Sequence, residues 1–240
     1  MIYEIEKNEH TKSQTQIFLC NKGFDFKLDW RRFQYMIPSN FIHTYSFKKE
    51  IECIMNTNQQ LPEKGKVMLS EPFLQDSLFQ RTVVLLAENT DKGAMGFILN
   101  KPVGYKINEL ISEFPEFDSP VYFGGPVDSN SLFFIHTVPH LIDSAFEIAD
   151  GIHYGGNYEK LTQMASIGLI QPNQVRFFAG YSGWDSGQLN FEMEEDSWLI
   201  FDRPEKLLNM QPENLWRDIL KQSKSKHAIW SNYPENPRLN

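Results

Sequence analysis

The chain has 240 residues, of which 41% are hydrophobic and 22% charged, enough apolar material for one large domain or two small ones. Its net charge of -8 is uneven, because residues 1–58 hold 8 lysines and arginines against 7 acidic residues, which leaves 15 against 24 for residues 59–240. A uniformly acidic domain repels phosphate backbones, so direct nucleic-acid binding is not expected.

The two cysteines, Cys20 and Cys53, both lie in the first quarter of the chain. A disulfide-stapled secreted domain would carry an even, dense set within its core, so a reducing cytoplasm is the better interpretation. No apolar run approaches the roughly 20 residues that a membrane-spanning helix needs. The opening sequence MIYEIEKNEH also lacks the basic start and apolar core of a signal peptide. We therefore expect a cytoplasmic protein with no membrane partner.

Residues 1–58 are aromatic and basic without a sustained period of 2 or 3.6. We interpret them as an N-terminal extension with little stable structure. The alternative is a genuine arm that docks on the rest of the chain through aromatic side chains such as Phe18, Phe24 and Trp30.

From Lys66 onward, turn residues punctuate the chain at short intervals. The predicted strands are 66–70, 81–88, 94–100, 120–123, 131–138, 175–179 and 198–201, with a further hairpin over 145–154 that turns at Asp150-Gly151. Apolar side chains at helical spacing predict helices over 106–114, 158–167 and 212–222, the second capped by Asn157. Strands adjacent in sequence, with few helices and no βαβ alternation, predict one α+β domain over 59–222. Residues 223–240 follow as a polar tail.

Three glycine-anchored stretches stand out: GAMGFILNKP at 93–102, FGGPV at 123–127 and GYSGWDSGQL at 180–189. Each places small residues beside large apolar ones where a strand should turn, which indicates a backbone shaped closely around something. Together with GKVMLSEPFLQDSLFQRTVVLLAEN at 65–89, and in this order, they resemble the YqgE/AlgH family of bacterial proteins. The resemblance runs from about Gly65 to Lys221.

The resemblance implies a mixed, bent β-sheet forming a pseudo-barrel with a few flanking helices. It implies less about function, since some members carry a transcriptional-regulator label and no catalytic mechanism is established for the family. Members usually begin near the position of Met55, which makes a mis-assigned start a further explanation for the front segment. The function favoured is a non-catalytic binding or regulatory domain that affects transcription indirectly, through an unknown small molecule or protein.

The strongest enzyme signal is Gly180-Tyr181-Ser182-Gly183-Trp184, which follows a predicted strand. A nucleophile elbow reads G-x-S-x-G, and Trp184 stands where the final glycine belongs. A hydrolase would also need a histidine and a carboxylate, for which His136, His140 or His153 and Asp185 are conceivable. The alternative function is thus an enzyme of unknown class, such as a hydrolase, working at residues 180–188. The plainer interpretation is a glycine-rich corner in which Ser182 satisfies the backbone.

No cofactor is predicted. Pro139 excludes a helix between His136 and His140, and in extended chain the two would lie roughly 13 Å apart, too far to share a metal ion. The stretch from Gly93 continues with Phe97 rather than the Gly-Lys-Ser/Thr of a phosphate-binding loop.

The residues that match the family at and beside the glycine turns, with Glu192 as a carboxylate to pair with Arg81, are candidates for a pocket or a structural motif. This set is Arg81, Asn100, Gly124, Gly125, Tyr181, Ser182, Trp184, Gln188 and Glu192. Aromatic side chains with a few converging polar groups are the usual lining of a small-molecule or peptide site. The competing interpretation is structural, with Arg81 paired internally to Glu192 or Asp76 and the glycines only permitting a bend. The residues alone leave both open.

Overall fold

The computed structural model describes residues 17–21, 24–28, 60–74, 76–223 and 226–233. The chain divides into two compact units, residues 1–58 and 59–240. In the first unit, strands β1 (Ile17–Asn21) and β2 (Phe24–Leu28) form an antiparallel pair. The remainder of that segment lies outside the described residues, so the expectation that it has little stable structure stays a prediction.

The described part of the second unit is built on one ten-stranded sheet. Its strands are β3 (Val67–Ser70), β4 (Val83–Thr90), β5 (Gly93–Ile98), β6 (Pro102–Lys106), β7 (Pro120–Phe123), β8 (Val127–His136), β9 (Phe146–Ala149), β10 (Ile152–Tyr154), β11 (Val175–Asp185) and β12 (Trp198–Phe201). The helices are α1 (Ile107–Leu110), α2 (Tyr158–Ser166), α3 (Gln188–Glu194) and α4 (Pro212–Gln222), with 3-10 turns at Pro172–Gln174, Leu207–Asn209 and Lys226–Asn232. None of these helices is long and apolar enough to cross a bilayer.

The sheet runs in the order β12-β3-β4-β5-β11-β8-β10-β9, and β7 pairs with both β6 and β11. The β7–β11 pairing is parallel and the others are antiparallel, so the sheet is mixed. Among the described strands, β12 and β9 end the order without pairing to each other, and the sheet is not closed into a barrel. The α+β class is confirmed.

Strand β11 links the two halves of the sheet. Up to Ala179 it lies between β7 and β8, where Phe177 pairs with Val121 on one side and Phe134 on the other. The register shifts at Gly180, whose φ is 70°, and from Ser182 onward the strand pairs with β5 instead. The prediction that this strand ends at Ala179 is wrong, because the glycine redirects the strand without ending it.

Strand β3 and the first half of β4 are buried on both faces, which explains their continuous apolar runs. On one face, Val83, Leu85 and Ala87 of β4 belong to a cluster that α4 covers with Leu215 and Trp216. The opposite face and the β7–β8–β11 half have clusters of their own. The cluster on the opposite face contains Val84, Leu86, Trp184, Trp198 and the α3 residue Leu189. The cluster of the β7–β8–β11 half contains Phe114, Phe177 and the α2 residue Leu161.

Two segments differ from what the sequence predicts, the helix over 106–114 and the polar tail over 223–240. The helix expected over 106–114 is confined to Ile107–Leu110, since Ile111 is extended and the chain turns so that Phe114 meets Phe177 at 5.3 Å between ring centroids. The segment expected as a polar tail contains the 3-10 turn Lys226–Asn232, and Trp230 packs against the core.

Candidate functional site

The second and third glycine stretches lie directly against each other. A Cβ atom added to Gly124 would stand 2.1 Å from the carbonyl oxygen of Gly180, and one added to Gly125 would stand 2.3 Å from the amide nitrogen of Ser182. The Gly124 carbonyl also accepts the N–H of Ile98, from the first stretch, at 3.0 Å. What the glycines fit closely is therefore the backbone of the neighbouring stretch. We call this convergence the glycine corner, residues 96–98, 123–127 and 180–184.

Ser182 is fully buried at the glycine corner. Its Oγ donates to the carbonyl oxygen of Gly124 at 3.0 Å, and its backbone pairs with Gly96 of β5. A nucleophile must be reachable by substrate and activated by a base, and this hydroxyl instead serves a backbone carbonyl. The nucleophile-elbow hypothesis has no support in this geometry.

Beside the glycine corner, one carboxylate of α3 accepts hydrogen bonds from two tryptophans. Oε2 of Glu192 accepts the indole N–H of Trp184 at 2.9 Å and that of Trp198 at 2.8 Å. The ring of Phe79 lies 5.7 Å from Trp198 between centroids, edge to face. Both tryptophans are buried, so each indole N–H needs an acceptor, and one glutamate on α3 provides it for both.

Gln188, at the start of α3, and Tyr181, in the glycine corner, are the remaining candidate residues of this region. Gln188 accepts the Asp185 N–H at 3.0 Å and donates to Oε1 of Glu192 at 2.9 Å, which fixes the start of α3. Tyr181 packs its ring edge to face against Phe133, with 5.3 Å between centroids. Each of these two side chains thus has partners of its own within the fold.

Arg81 and Asn100 lie on the other side of the sheet. Asn100 donates to the Arg81 carbonyl at 2.8 Å and accepts the Val83 N–H at 2.9 Å, which joins the start of β4 to the end of β5. Arg81 has a φ of 51°, donates to the Tyr233 carbonyl at 3.1 Å and stacks on the Trp216 ring at 5.1 Å. The structure therefore does not bring it to Glu192, which holds the two indoles.

A cleft of about 420 Å³ lies beside the glycine corner, between the β4–β5 hairpin and the start of α3. We call it the hairpin cleft. It is lined by Asn89, Thr90, Asp91, Gly93, Ala94, Asp185, Ser186, Gly187, Leu189 and Asn190. The Ser186 hydroxyl donates to the Asp91 carbonyl at 2.7 Å and ties its two walls together. Two carboxylates, two amides and no basic side chain make it an acceptor-rich site.

None of the nine predicted site residues lines the hairpin cleft. The sequence predicts strands 81–88 and 94–100 with a short connection between them and no helix over 188–194, so it does not predict that the β4–β5 connection meets the start of α3. The run Asp185-Ser186-Gly187 at the end of the third stretch was the available signal, since polar turn residues after a strand are common site residues.

His136 is fully buried and stacks on the partly buried His153, with 5.8 Å between ring centroids. His136 accepts the Val138 N–H on Nδ1 at 3.3 Å, and its buried Nε2 has no hydrogen-bond partner. Burial, followed by the charge of His153, lowers the pKa of His136 to about 4. Within the described residues no group of three or more histidine, cysteine or acidic side chains is placed to hold a metal ion.

Two solved structures share this fold. A crystal structure of a Corynebacterium diphtheriae protein aligns with a TM-score of 0.61 at 20% identity, covering 75% of this chain and 97% of that one. The solution structure of AlgH from Pseudomonas aeruginosa aligns with a TM-score of 0.58 at 23% identity, covering 74% and 98%.

Sequence comparison gives closer relatives. A UPF0301 protein of Parabacteroides distasonis is 40% identical over 186 residues, 76% of this chain and 94% of the relative. A UPF0301 protein of Chlorobaculum parvum is 38% identical over 187 residues, covering 78% and 100%. The model of the AlgH-like family matches residues 67–228, which span all the strands of the second unit. The chain therefore belongs to the AlgH-like family, as its glycine stretches indicate.

Proposed function

We propose that the chain is a non-catalytic binding domain whose ligand occupies the hairpin cleft. The observation that carries this proposal is a difference in hydrogen bonding between neighbouring polar residues. Ser182, Gln188 and Glu192 use their polar atoms in hydrogen bonds within the fold, whereas the carboxylates of Asp91 and Asp185 in the adjacent cleft make no hydrogen bond or ion pair among the described residues. The rigid corner supports the cleft, and binding sites are commonly loops held by a rigid scaffold.

The chemistry of the cleft selects its ligand. Asp91 and Asp185 contribute negative charge, and no lysine or arginine is among the lining residues. A cationic or hydrogen-bond-donating molecule, or a protein segment of that chemistry, fits this lining, whereas a phosphate backbone is repelled. If the protein acts on transcription in the cytoplasm, a bound metabolite or protein partner mediates the effect.

An enzyme at residues 180–188 is the rival function, and the geometry gives it little support. Catalysis needs a nucleophile or base within hydrogen-bond reach of a supporting group in a cleft. Ser182 is buried against the Gly124 carbonyl, and Asp185 projects from the strand end at the cleft without a histidine among the lining residues. Binding without turnover is the simpler use of this surface.

The experiment is native mass spectrometry of the full chain, purified under mild conditions, with spermidine added in a separate arm as a cationic probe. Asp91→Asn combined with Asp185→Asn removes both charges from the cleft. The matched control, Glu195→Gln combined with Asp196→Asn, removes two charges from exposed positions outside it. We expect the wild type and the control to retain a bound species or spermidine, and the cleft variant to lose it.

Equal retention by the cleft variant would overturn the proposal, as would a wild type that holds neither a co-purified species nor the probe. Release of a modified product from a bound molecule would instead favour the enzyme.

A further inference from the structure

Arg176, the second residue of β11, is a buried cation held without a carboxylate. Its side chain is 8% exposed; Nη1 donates to the Leu99 carbonyl at 3.2 Å and Nη2 to the Leu208 carbonyl at 2.7 Å. The guanidinium carbon lies 4.6 Å from the centre of the Tyr122 ring. The ion pairs of the described residues do not include Arg176.

A buried charge is costly unless it is paired or well hydrogen-bonded. Two carbonyl dipoles and one ring face compensate Arg176 in part, and its burial still lowers the pKa of the guanidinium, against the opposing effect of Tyr122. An anion would supply the compensation that the protein does not.

Arg176 lines an open cleft of about 260 Å³, together with Tyr122 and Leu208, two of the residues that its guanidinium contacts; we call it the arginine cleft. It is lined by Asp118, Ser119, Pro120, Tyr122, Pro172, Asn173, Val175, Arg176 and Leu208. The two described hydrogen bonds use one N–H each of Nη1 and Nη2, so three of the five guanidinium N–H donors make no described hydrogen bond. Arg176 therefore keeps N–H donors for a ligand in the cleft that it lines.

The rest of the lining defines the ligand further. Pro120, Pro172 and Leu208 contribute apolar surface to the same lining. Asp118 is the acidic residue of the lining, and its carboxylate is paired with Nζ of Lys106 at 2.8 Å. The surrounding domain is acidic, which disfavours a dianion more than a monoanion.

We propose that the arginine cleft binds a small organic carboxylate. The carboxylate pairs with the Arg176 guanidinium, and its apolar body lies against Pro120, Pro172 and Leu208. Arginine suits this role because its planar donors match the two oxygens of a carboxylate. The site is separate from the hairpin cleft, shares no lining residue with it and stands or falls on its own.

The test is an NMR titration of the full chain with benzoate, with benzamide as a neutral molecule of the same shape and inorganic phosphate as a dianion. Benzoate at millimolar concentration is expected to shift the amide resonances of Ser119, Tyr122 and Val175, and benzamide and phosphate to leave them in place. Arg176→Gln should weaken benzoate binding by roughly tenfold or more, because a charge-assisted hydrogen bond is lost. Arg203→Gln, which removes an arginine bonded to the Asp150 carbonyl, is the matched control and should bind as the wild type does.

Three results would overturn the proposal: a wild type unaffected by benzoate, shifts that map away from the cleft, or equal binding by the Arg176→Gln variant. Stronger shifts with phosphate would also refute the carboxylate assignment. If Arg176→Gln does not fold, the comparison of benzoate with benzamide on the wild type still tests the proposal. Equal shifts with both molecules would refute it, because they would show that the charge of the carboxylate plays no part in binding.

Discussion

The indole nitrogen of Trp184 lies 2.9 Å from a carboxylate oxygen of Glu192, and the same oxygen accepts the indole N–H of Trp198 at 2.8 Å. Glu192 is thus the acceptor that lets two large aromatic side chains be buried side by side. A residue that resembles a site carboxylate in the sequence is, in the structure, part of what holds α3 to the sheet.

Glu192→Leu should lower the free energy of unfolding by about 1–3 kcal/mol, because two indole N–H groups lose their acceptor. Glu192→Gln keeps an acceptor of similar shape, so its loss should be smaller. Urea denaturation followed by tryptophan fluorescence measures both. Glu195→Gln, an exposed position just beyond α3, is the control and should change little. Equal stability of the leucine variant and the wild type would contradict this role.

Ser182→Ala should cost about 1 kcal/mol of stability, as expected for one buried hydrogen bond. The cost is modest because the Gly124 carbonyl keeps its bond from the Ile98 N–H. The wild type should also resist a fluorophosphonate probe, which labels activated serines. Labelling of Ser182 in the folded protein, detected by peptide mass spectrometry, would restore the hydrolase hypothesis.

Gly124→Ala should be severely destabilising, by several kcal/mol, since the new methyl group would meet the Gly180 backbone rather than a movable side chain. Gly104→Ala is the comparison: its φ is 86°, but a Cβ there meets nothing within 4 Å, so only backbone strain of about 1 kcal/mol is expected. Thermal unfolding of the two variants should separate them clearly. A Gly124→Ala protein as stable as Gly104→Ala would refute the close packing of the corner.

Acidification should destabilise the domain through His136. Its pKa is about 4 when folded and 6.5 when exposed, so the unfolded chain binds the additional proton between these values and stability falls as the pH drops through that window. Urea midpoints should therefore be lower at about pH 5 than at about pH 7. His136→Asn, which keeps an acceptor for the Val138 N–H but does not titrate, should show a flatter dependence. An unchanged slope would assign the effect to other groups.

Deletion of residues 1–58 should leave the second unit folded, with a thermal midpoint close to that of the full chain. The buried apolar residues of the described core begin at Val67, and the two segments are separate compact units. Circular dichroism of residues 59–240 against the full chain makes the comparison. A large fall in the midpoint would favour the docking-arm alternative.

The sequence alone determined the family, the α+β class and most strands. The signals for them are local: apolar runs bounded by turn residues, and glycine stretches in a fixed order along the chain. The hairpin 145–154 and the helix capped by Asn157 follow from the same local chemistry and are confirmed. The strand predicted over 175–179 stops short of Gly180, because the sequence does not distinguish a glycine that ends a strand from one that redirects it.

Only the tertiary structure decided what the motif residues do. Whether Ser182 faces a substrate or the Gly124 carbonyl depends on where the connection between β7 and β8, 58 residues away, is placed, and no local pattern encodes that placement. For the same reason Glu192 could not be matched to two indoles, nor could Arg176 be recognised as a buried cation beside an open cleft. Burial and partnership are properties of segments brought together from distant parts of the chain, and they exist only once the sheet has formed.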